Sequence, residues 1–472
     1  MSPSRQRGLQ ERDPVLVERL GNDVRLSPAG PLRGTVRLPG SKSLTNRYLL
    51  CTALADGTSR LAGVTLSDDV QAMLRGLRAL GIDLSLIGDT TASGPPPGGE
   101  AAPVAAGGYV TIEVQGCRGQ LPAVAADIDV GNAGTAMRFL TALATLGHGR
   151  YRLDGSPRMR QRPIGPLVGA LQQLGAPVGY DAVEGFPPIT MAARGLAGGE
   201  VRFDRPPSSQ FISALLMVGP YAGGDVMIRI DGGLVSRPYV EMTIAVMRSL
   251  GVELLAGDEF DRFIVPAAQR YQAREVVVEP DASAATYFWA AAALTGGQIT
   301  ALGLRADSLQ GDVRFVEVLQ RMGCVVRDTP EGLSVAAPPD GRLRGVDVDL
   351  NAMPDTAQTL AVVALFADGP TTIRNVGNLR IKETDRLTAL ETELRRLGAA
   401  VSTGSDGITI SPPERLTPTA IETYDDHRMA MSFALAGLRV PGLVIREAAC
   451  VAKSFPGFFD ELAALSADGP AR

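Results

Sequence analysis

The chain has 472 residues, with 46 Lys and Arg against 51 Asp and Glu, giving a formal net charge of −5 with both histidines neutral. Hydrophobic residues make up 45% and charged residues 21%, which excludes wholesale disorder, and the slightly acidic net charge counts against nucleic acid as the partner. The length corresponds to roughly two to four domains. The first thirty or so residues mix arginines with Glu11, Asp13, Glu18 and Asp23 and carry no apolar run, so no signal peptide is expected and the location is expected to be cytoplasmic. The longest strongly apolar stretch, Ala284–Leu294, is well short of the ~20 residues that cross a bilayer, so no membrane partner is expected.

From the N-terminus onward one pattern recurs: a polar lead-in bearing Gly or Asp, an Ala/Leu-rich helix, a Gly turn and a short alternating strand. It is expected at Pro39-Gly40-Ser41-Lys42 into Tyr48–Leu54, at Gly131-Asn132-Ala133-Gly134 into Met137–Leu146, and at Ser208-Ser209-Gln210 into Phe211–Val218. It returns at Asp281-Ala282-Ser283 into Tyr287–Leu294, Pro354-Asp355-Thr356 into Leu360–Phe366, and Asp425-Asp426-His427 into Met429–Leu438. In five copies a second helix stops at a Gly after its last apolar residue: Leu80-Gly81, Leu174-Gly175, Leu250-Gly251, Met322-Gly323 and Leu397-Gly398. Alternating segments such as Glu275–Glu279 and Val346–Leu350 read as strands. The fold class is therefore α/β, built of six β-α-β-α-β-β modules, in a line or as two groups of three. Ala92–Gly108, rich in Gly and Pro, reads as an exposed insertion in the first module.

Helix starts offer unpaired N–H groups and a partial positive charge, so they receive anions. The lead-ins and adjoining loops also carry Lys42, Arg47, Arg138, Arg162, Lys382, Arg386, Arg428 and Lys453. That many cations at equivalent places in an acidic protein point to one focused anion site. No complete P-loop, GxGxxG, HExxH or GxSxG motif is present, and Gly40-Ser41-Lys42-Ser43 only resembles the end of a P-loop. The four cysteines show no CxxC spacing and the two histidines stand far apart, so neither a disulfide framework nor a metal site is expected.

Taken together these segments resemble the family of 5-enolpyruvylshikimate-3-phosphate synthases. The matching pieces are Leu38–Arg47, Gly131–Arg138, Arg162–Gly165, Ser208–Gln210, Ser236–Tyr239, Asn378–Arg386, Tyr424–Arg428 and Lys453–Pro456. They run in the family's order over about residues 25–465. The resemblance implies a two-domain, inside-out α/β barrel-like fold with three modules per domain, closing over a cleft. Residues 1–39 with 279–472 would form one domain, and 40–278 the other. It also implies a monomer without metal or organic cofactor, which transfers the enolpyruvyl group of phosphoenolpyruvate to shikimate 3-phosphate.

By that similarity, shikimate 3-phosphate would meet Lys42, Ser43, Arg47, Ser208, Ser209, Gln210, Ser236, Asp355, Asn378 and Lys382. Phosphoenolpyruvate would meet Lys42, Gly134, Arg162, Arg386, Arg428 and Lys453. Asp355 and Glu383 would be the acid/base carboxylates, assisted by Lys42 and Lys453. The plain alternatives are a helix N-cap for Asp355 and a local pair of Glu383 with Arg386. His427 would help orient Arg428. One departure is Phe139, where many family members have Pro; it is expected to shift the Gly134 helix slightly. Other readings are the related transferase acting on UDP-N-acetylglucosamine, for which Cys117 is the candidate loop cysteine, and an RNA 3′-phosphate cyclase-like protein. Cys117 is expected to be dispensable.

Overall fold

The computed structural model describes residues 16–88 and 108–465; apart from Gly108, the insertion expected at 92–108 lies outside them. Six α-helices occur before residue 280: α1 (Lys42–Leu54), α2 (Asp68–Ala79), α3 (Gly134–Ala144), α4 (Gly165–Gln173), α5 (Ser209–Val218) and α6 (Arg237–Ser249). Six more follow: α7 (Ala282–Thr295), α8 (Phe315–Arg321), α9 (Ala357–Val363), α10 (Arg386–Arg396), α11 (His427–Gly437) and α12 (Phe458–Ala464).

The apolar runs behind the polar lead-ins become enclosed helices. Every residue of α3, α7, α9 and α11 is buried, and a helix covered on all sides needs no polar stripe. α1, α3 and α5 pack on one another, as do α7, α9 and α11. The intervening helices keep a wet face, and the glycines after α2, α4, α6, α8 and α10 all adopt positive φ, the left-handed stop that the Leu-Gly and Met-Gly pairs predict. α12 has no such glycine, which is why the pattern showed a second helix in only five places. The fifth apolar run is broken: 3₁₀ turns at Pro354–Thr356 and Ala364–Phe366 flank a short α9.

Among the described residues the strands form six four-stranded sheets and one short two-stranded ladder. Each four-stranded sheet contains one parallel pair, the rest being antiparallel. Two of these parallel pairs join distant segments: Arg33–Val36 lies beside Gln298–Leu302, and Glu275–Val277 beside Thr58–Thr65.

Two apolar cores result. One spans residues 44–278; the other, split in sequence, takes residues 24–38 together with 282–465. The chain passes between them twice, side by side: Ser41 N–H donates to Glu279 O and Asp281 N–H to Pro39 O, each at 2.8 Å. Gly40, paired there with Pro280, lies flush on the backbone, since a Cβ would stand 2.0 Å from Gly63 O. No helix among the described residues is long and apolar enough to cross a membrane.

Candidate active site

Both cores contribute to one cleft of about 850 Å³. α1 supplies Lys42, Ser43 and Arg47, the start of α3 supplies Gly134, and the turn after Met159–Gln161 supplies Arg162. Ser208, Ser209 and Gln210 surround the start of α5, and Ser236 precedes α6. From the split core come Asp355, Asn378, Lys382, Glu383 and Arg386. Arg428 opens onto a smaller adjoining cavity shared with Lys42 and Ser43. Lys453 lines neither space; it stands behind them, against Asp69 and Asn132.

Local chemistry fixes these positions. Ser41 caps α1 by accepting from Leu44 N–H, Ser208 caps α5, and Asp426 caps α11 through Arg428 N–H at 2.9 Å. Ser236 holds φ +56°, and its N–H donates across to Asn351 Oδ1 at 3.0 Å, while Asn378 Nδ2 donates to Ser236 Oγ at 3.3 Å. These contacts bind the two walls together.

The charged groups form one continuous network. Asp69 accepts from Lys453 Nζ at 2.5 Å and lies 3.0 Å from Lys42 Nζ. Lys453 and Arg162 both donate to Asn132 O, at 2.8 and 3.0 Å, and Lys453 comes within 3.9 Å of Glu383. Arg386 then links Glu383 (2.9 Å), Asp426 (2.7 and 3.2 Å) and Asp355 (3.2 Å). Asp355 also accepts from Arg428 Nη2 at 2.8 Å and stands 3.7 Å from Lys382 Nζ. Asp355 makes no helix-capping hydrogen bond, so the N-cap alternative fails; its carboxylate faces arginines instead. The Glu383–Arg386 pair exists, but Glu383 precedes α10 and so is not an ordinary intrahelical pair.

Electrostatics follow from this crowding. Burial pushes the Asp355 carboxyl up, but Arg428, Lys382 and Arg386 outweigh it and hold the group well below the usual aspartate range. Glu383 behaves likewise: Arg386, Arg162 and Lys453 overcome its burial. Burial lowers the Lys382 ammonium, with Asp355 only partly offsetting it; burial also pushes Lys42 down, but Asp69, Glu383 and Asp355 together outweigh it and raise the group. His427 is fully buried and kept neutral by burial and by Arg428, with no hydrogen-bond partner on either ring nitrogen. It therefore does not hold Arg428 by a hydrogen bond.

Some groups remain unspent. Arg162 Nε and Asn378 Oδ1 are buried without partners, an arrangement that invites an incoming polar ligand. Arg47 is almost fully buried and donates to Thr243 Oγ1, Ser43 O and Tyr239 O, all neutral oxygens; burial brings it down to about 10. Among the described residues no group of three or more His, Cys, Asp or Glu is placed to hold a metal ion.

Four site residues escaped the sequence reading: Asp69, Thr135, Tyr239 and Asp426. Thr135 Oγ1 accepts from Gln210 Nε2 at 3.0 Å, and Tyr239 Oη donates to Asp312 at 3.0 Å from the opposite core. Thr135, Tyr239 and Asp426 lie inside the segments that carry the family resemblance, which gave them no role of their own; Asp69 lies in none of them. Asp312 is also bonded by Ser283, yet its Oδ1 has no partner. Burial and the Asp355 charge raise it to about 6. A carboxyl raised on folding contributes stability that is complete below its unfolded value and is lost as the pH rises through the folded value. Asp312→Asn is therefore expected to gain about 1–3 kcal/mol at pH 7.5, the gain shrinking toward pH 4; thermal melts at both pH values measure it.

Gly134 has a steric reason of its own. A Cβ there would lie 2.4 Å from Arg162 Nη2 and 2.8 Å from Arg138 Nη1. Gly134→Ala is expected to displace the Arg162 guanidinium and weaken the affinity of the anion it faces by about tenfold, a loss of one charge-assisted contact. With the two substrates that the resemblance implies, the phosphoenolpyruvate KM measures this; an effect confined to the shikimate 3-phosphate KM would contradict the expected placement of Arg162.

Comparison with known proteins decides the affiliation. The family model described as EPSP synthase (3-phosphoshikimate 1-carboxyvinyltransferase) matches residues 26–462. The chain belongs to the EPSP synthase family. A 3-phosphoshikimate 1-carboxyvinyltransferase of Sulfurovum sp. (strain NBC37-1) is 46% identical over 94% of this chain and 99% of its own. One of Shewanella halifaxensis is 46% identical over 94% and 100%. The chloroplastic enzyme 1 of Nicotiana tabacum is 46% identical over 95% of this chain and 86% of its own. The EPSP synthase structure from Acinetobacter baumannii superposes with a TM-score of 0.73 at 24% identity, covering 94% of this chain and 98% of that one, a likeness of fold. Within this EPSP synthase family member, Phe139 is buried on α3 and the Arg47 guanidinium lies over its ring, 5.5 Å from the centroid. Cys117 does not line the cleft, and burial raises its thiol.

Proposed function

We propose that the chain transfers the enolpyruvyl group of phosphoenolpyruvate to the 5-hydroxyl of shikimate 3-phosphate and releases phosphate. The carrying observation is the single network of lysines and arginines drawn from both cores around one cleft. Two substrates that each bear a carboxylate and a phosphate need such a cluster, and planar guanidinium groups suit both anions.

In this reading shikimate 3-phosphate lies against Lys42, Ser43, Arg47, Ser208, Ser209, Gln210, Ser236, Asp355, Asn378 and Lys382. Phosphoenolpyruvate takes Lys42, Gly134, Arg162, Arg386, Arg428 and Lys453. In the free protein the cations are spent on Asp355, Glu383 and Asp69. Incoming anions compete for them, so the carboxylates lose counter-charge and become stronger bases. Asp355 and Glu383 then serve addition and elimination in turn. The 5-hydroxyl loses its proton as its oxygen bonds to C2 and C3 gains a proton. The adduct next loses a C3 proton and phosphate, with Lys42 and Lys453 stabilising the departing charge.

The same reading treats residues 1–39 with 279–472 as one domain and 40–278 as the other. Each would hold three β-α-β-α-β-β modules in an inside-out barrel-like arrangement, and closure would exclude water. Three four-stranded sheets and three enclosed helices in each core support it. The chain would act as a cytoplasmic monomer on two small molecules, without metal, cofactor, nucleic acid or membrane.

Phosphate release from shikimate 3-phosphate plus phosphoenolpyruvate is the test, with UDP-N-acetylglucosamine as the comparison acceptor. Turnover is expected with the first acceptor alone. Release only with the second, or with neither, overturns the proposal.

A further inference from the structure

The turn that presents Asp426 to Arg386 is strained. Tyr424 and Asp425 hold φ of +56° and +55°, and Asp426 N–H donates to Thr423 O at 2.9 Å. Two successive positive φ values closed by such a bond are the pattern of a type I′ turn, which favours Asn-Gly or Asp-Gly. A tyrosine in that first position costs conformational energy. The residue is 40% exposed, so burial does not offset the cost.

The phenol explains the residue. Tyr424 Oη donates to Glu393 Oε1 at 2.7 Å, and Glu422 N–H, on the approach to the turn, reaches Glu393 Oε2 at 3.4 Å. Glu393 is fully buried on α10, two turns beyond Arg386, and Arg396 Nη1 donates to it at 2.8 Å. α10 therefore holds the turn at two levels. At its first residue Arg386 grips both Asp426 oxygens; further along, Glu393 grips the turn itself. Asp426 also accepts from the N–H of Arg428, the second residue of α11.

We propose that Tyr424 and Glu393 are positioning residues: their hydrogen bond holds the left-handed turn that sets Asp426, and through it Arg386 and Arg428, for the anion that those arginines receive. This rests on the functional reading above, in which that anion is phosphoenolpyruvate. The closed chain of contacts makes a further demand. A residue that adopts positive φ freely should lessen the need for the phenol.

Steady-state kinetics of the full chain test it, with wild type, Tyr424→Phe, and Tyr424→Phe combined with Asp425→Gly, each paired with a thermal melt. Tyr424→Phe is expected to raise the phosphoenolpyruvate KM about tenfold, the loss of one hydrogen bond to a charged group, and to leave the shikimate 3-phosphate KM within about twofold. The added Asp425→Gly should recover most of the loss. Unchanged kinetics in Tyr424→Phe overturn the inference, as does an equal rise in both KM values that Asp425→Gly fails to repair. An inactive wild type with these two substrates removes the functional reading and this inference with it.

Discussion

Asp355→Ala is expected to lower kcat by about 10²–10⁴-fold, the range lost with a positioned acid/base group. It is not expected to raise the phosphoenolpyruvate KM. In the free protein Asp355 occupies Arg428 Nη2 and Arg386 Nη1. Deleting its carboxylate releases those donors for an incoming anion, so ground-state binding holds or tightens while the chemical step fails. Asp355→Asn, which keeps the shape and one acceptor oxygen, should fail nearly as badly if proton transfer is the role. Rates and both KM values, measured with melting curves, separate the cases. A loss of only a few-fold, or one expressed wholly in KM, would reassign the proton transfers to Glu383.

Asp69→Ala is expected to cost stability more than any other substitution at the site, about 3–5 kcal/mol, because it takes the nearest counter-charge from two buried ammonium groups and leaves Lys453 only Asn132 O and a 3.9 Å approach to Glu383. Its side chain is 4% exposed and lies between Lys42, the first residue of α1, and Lys453, which precedes α12 in the other half of the molecule. Without it the two ammonium groups face each other at low dielectric. Burial pushes the Asp69 carboxyl up, but Lys42 and Lys453 carry it below its ordinary value. A depressed carboxyl contributes stability that is complete above its unfolded value and is lost as the pH falls. The melting difference between wild type and Asp69→Ala should therefore narrow below about pH 4. Inorganic phosphate should raise the melting temperature of the variant more than that of wild type, because a bound anion replaces the missing counter-charge. Equal melting temperatures at pH 7 would mean that the two lysines find other partners.

Local chemistry was legible in the sequence; pairings across the cleft were not. A Gly after the last Leu or Met of a helix reports a backbone requirement carried by one residue, so the stops at Gly81, Gly175, Gly251, Gly323 and Gly398 were readable. The last helix ends at Ala464 and is followed by Leu465, not Gly, and the 3₁₀ turns around α9 are reported by no periodicity. Asp69 looks like its neighbour Asp68, two acids at a helix start where acids are commonplace. Only the arrival of Lys453, 384 positions away, distinguishes them. Tyr239 and Asp312 pose the same difficulty, each ordinary until the cores meet. For Asp355 the bare residues favoured a helix cap and the family resemblance implied an acid/base carboxylate; neither pointed to the arginines it meets.

The parallel pairing of Arg33–Val36 with Gln298–Leu302 has a consequence for biosynthesis. Leu32 N–H finds its acceptor on Thr295, 263 positions downstream. At ~5–20 residues per second, the ribosome needs roughly 13–50 s to deliver that partner. During this interval everything up to residue 278 has emerged and can condense, while the early strand waits with its edge unsatisfied. A nascent chain paused in that window is the form most exposed to clumping, and the one for which a holding chaperone would matter most.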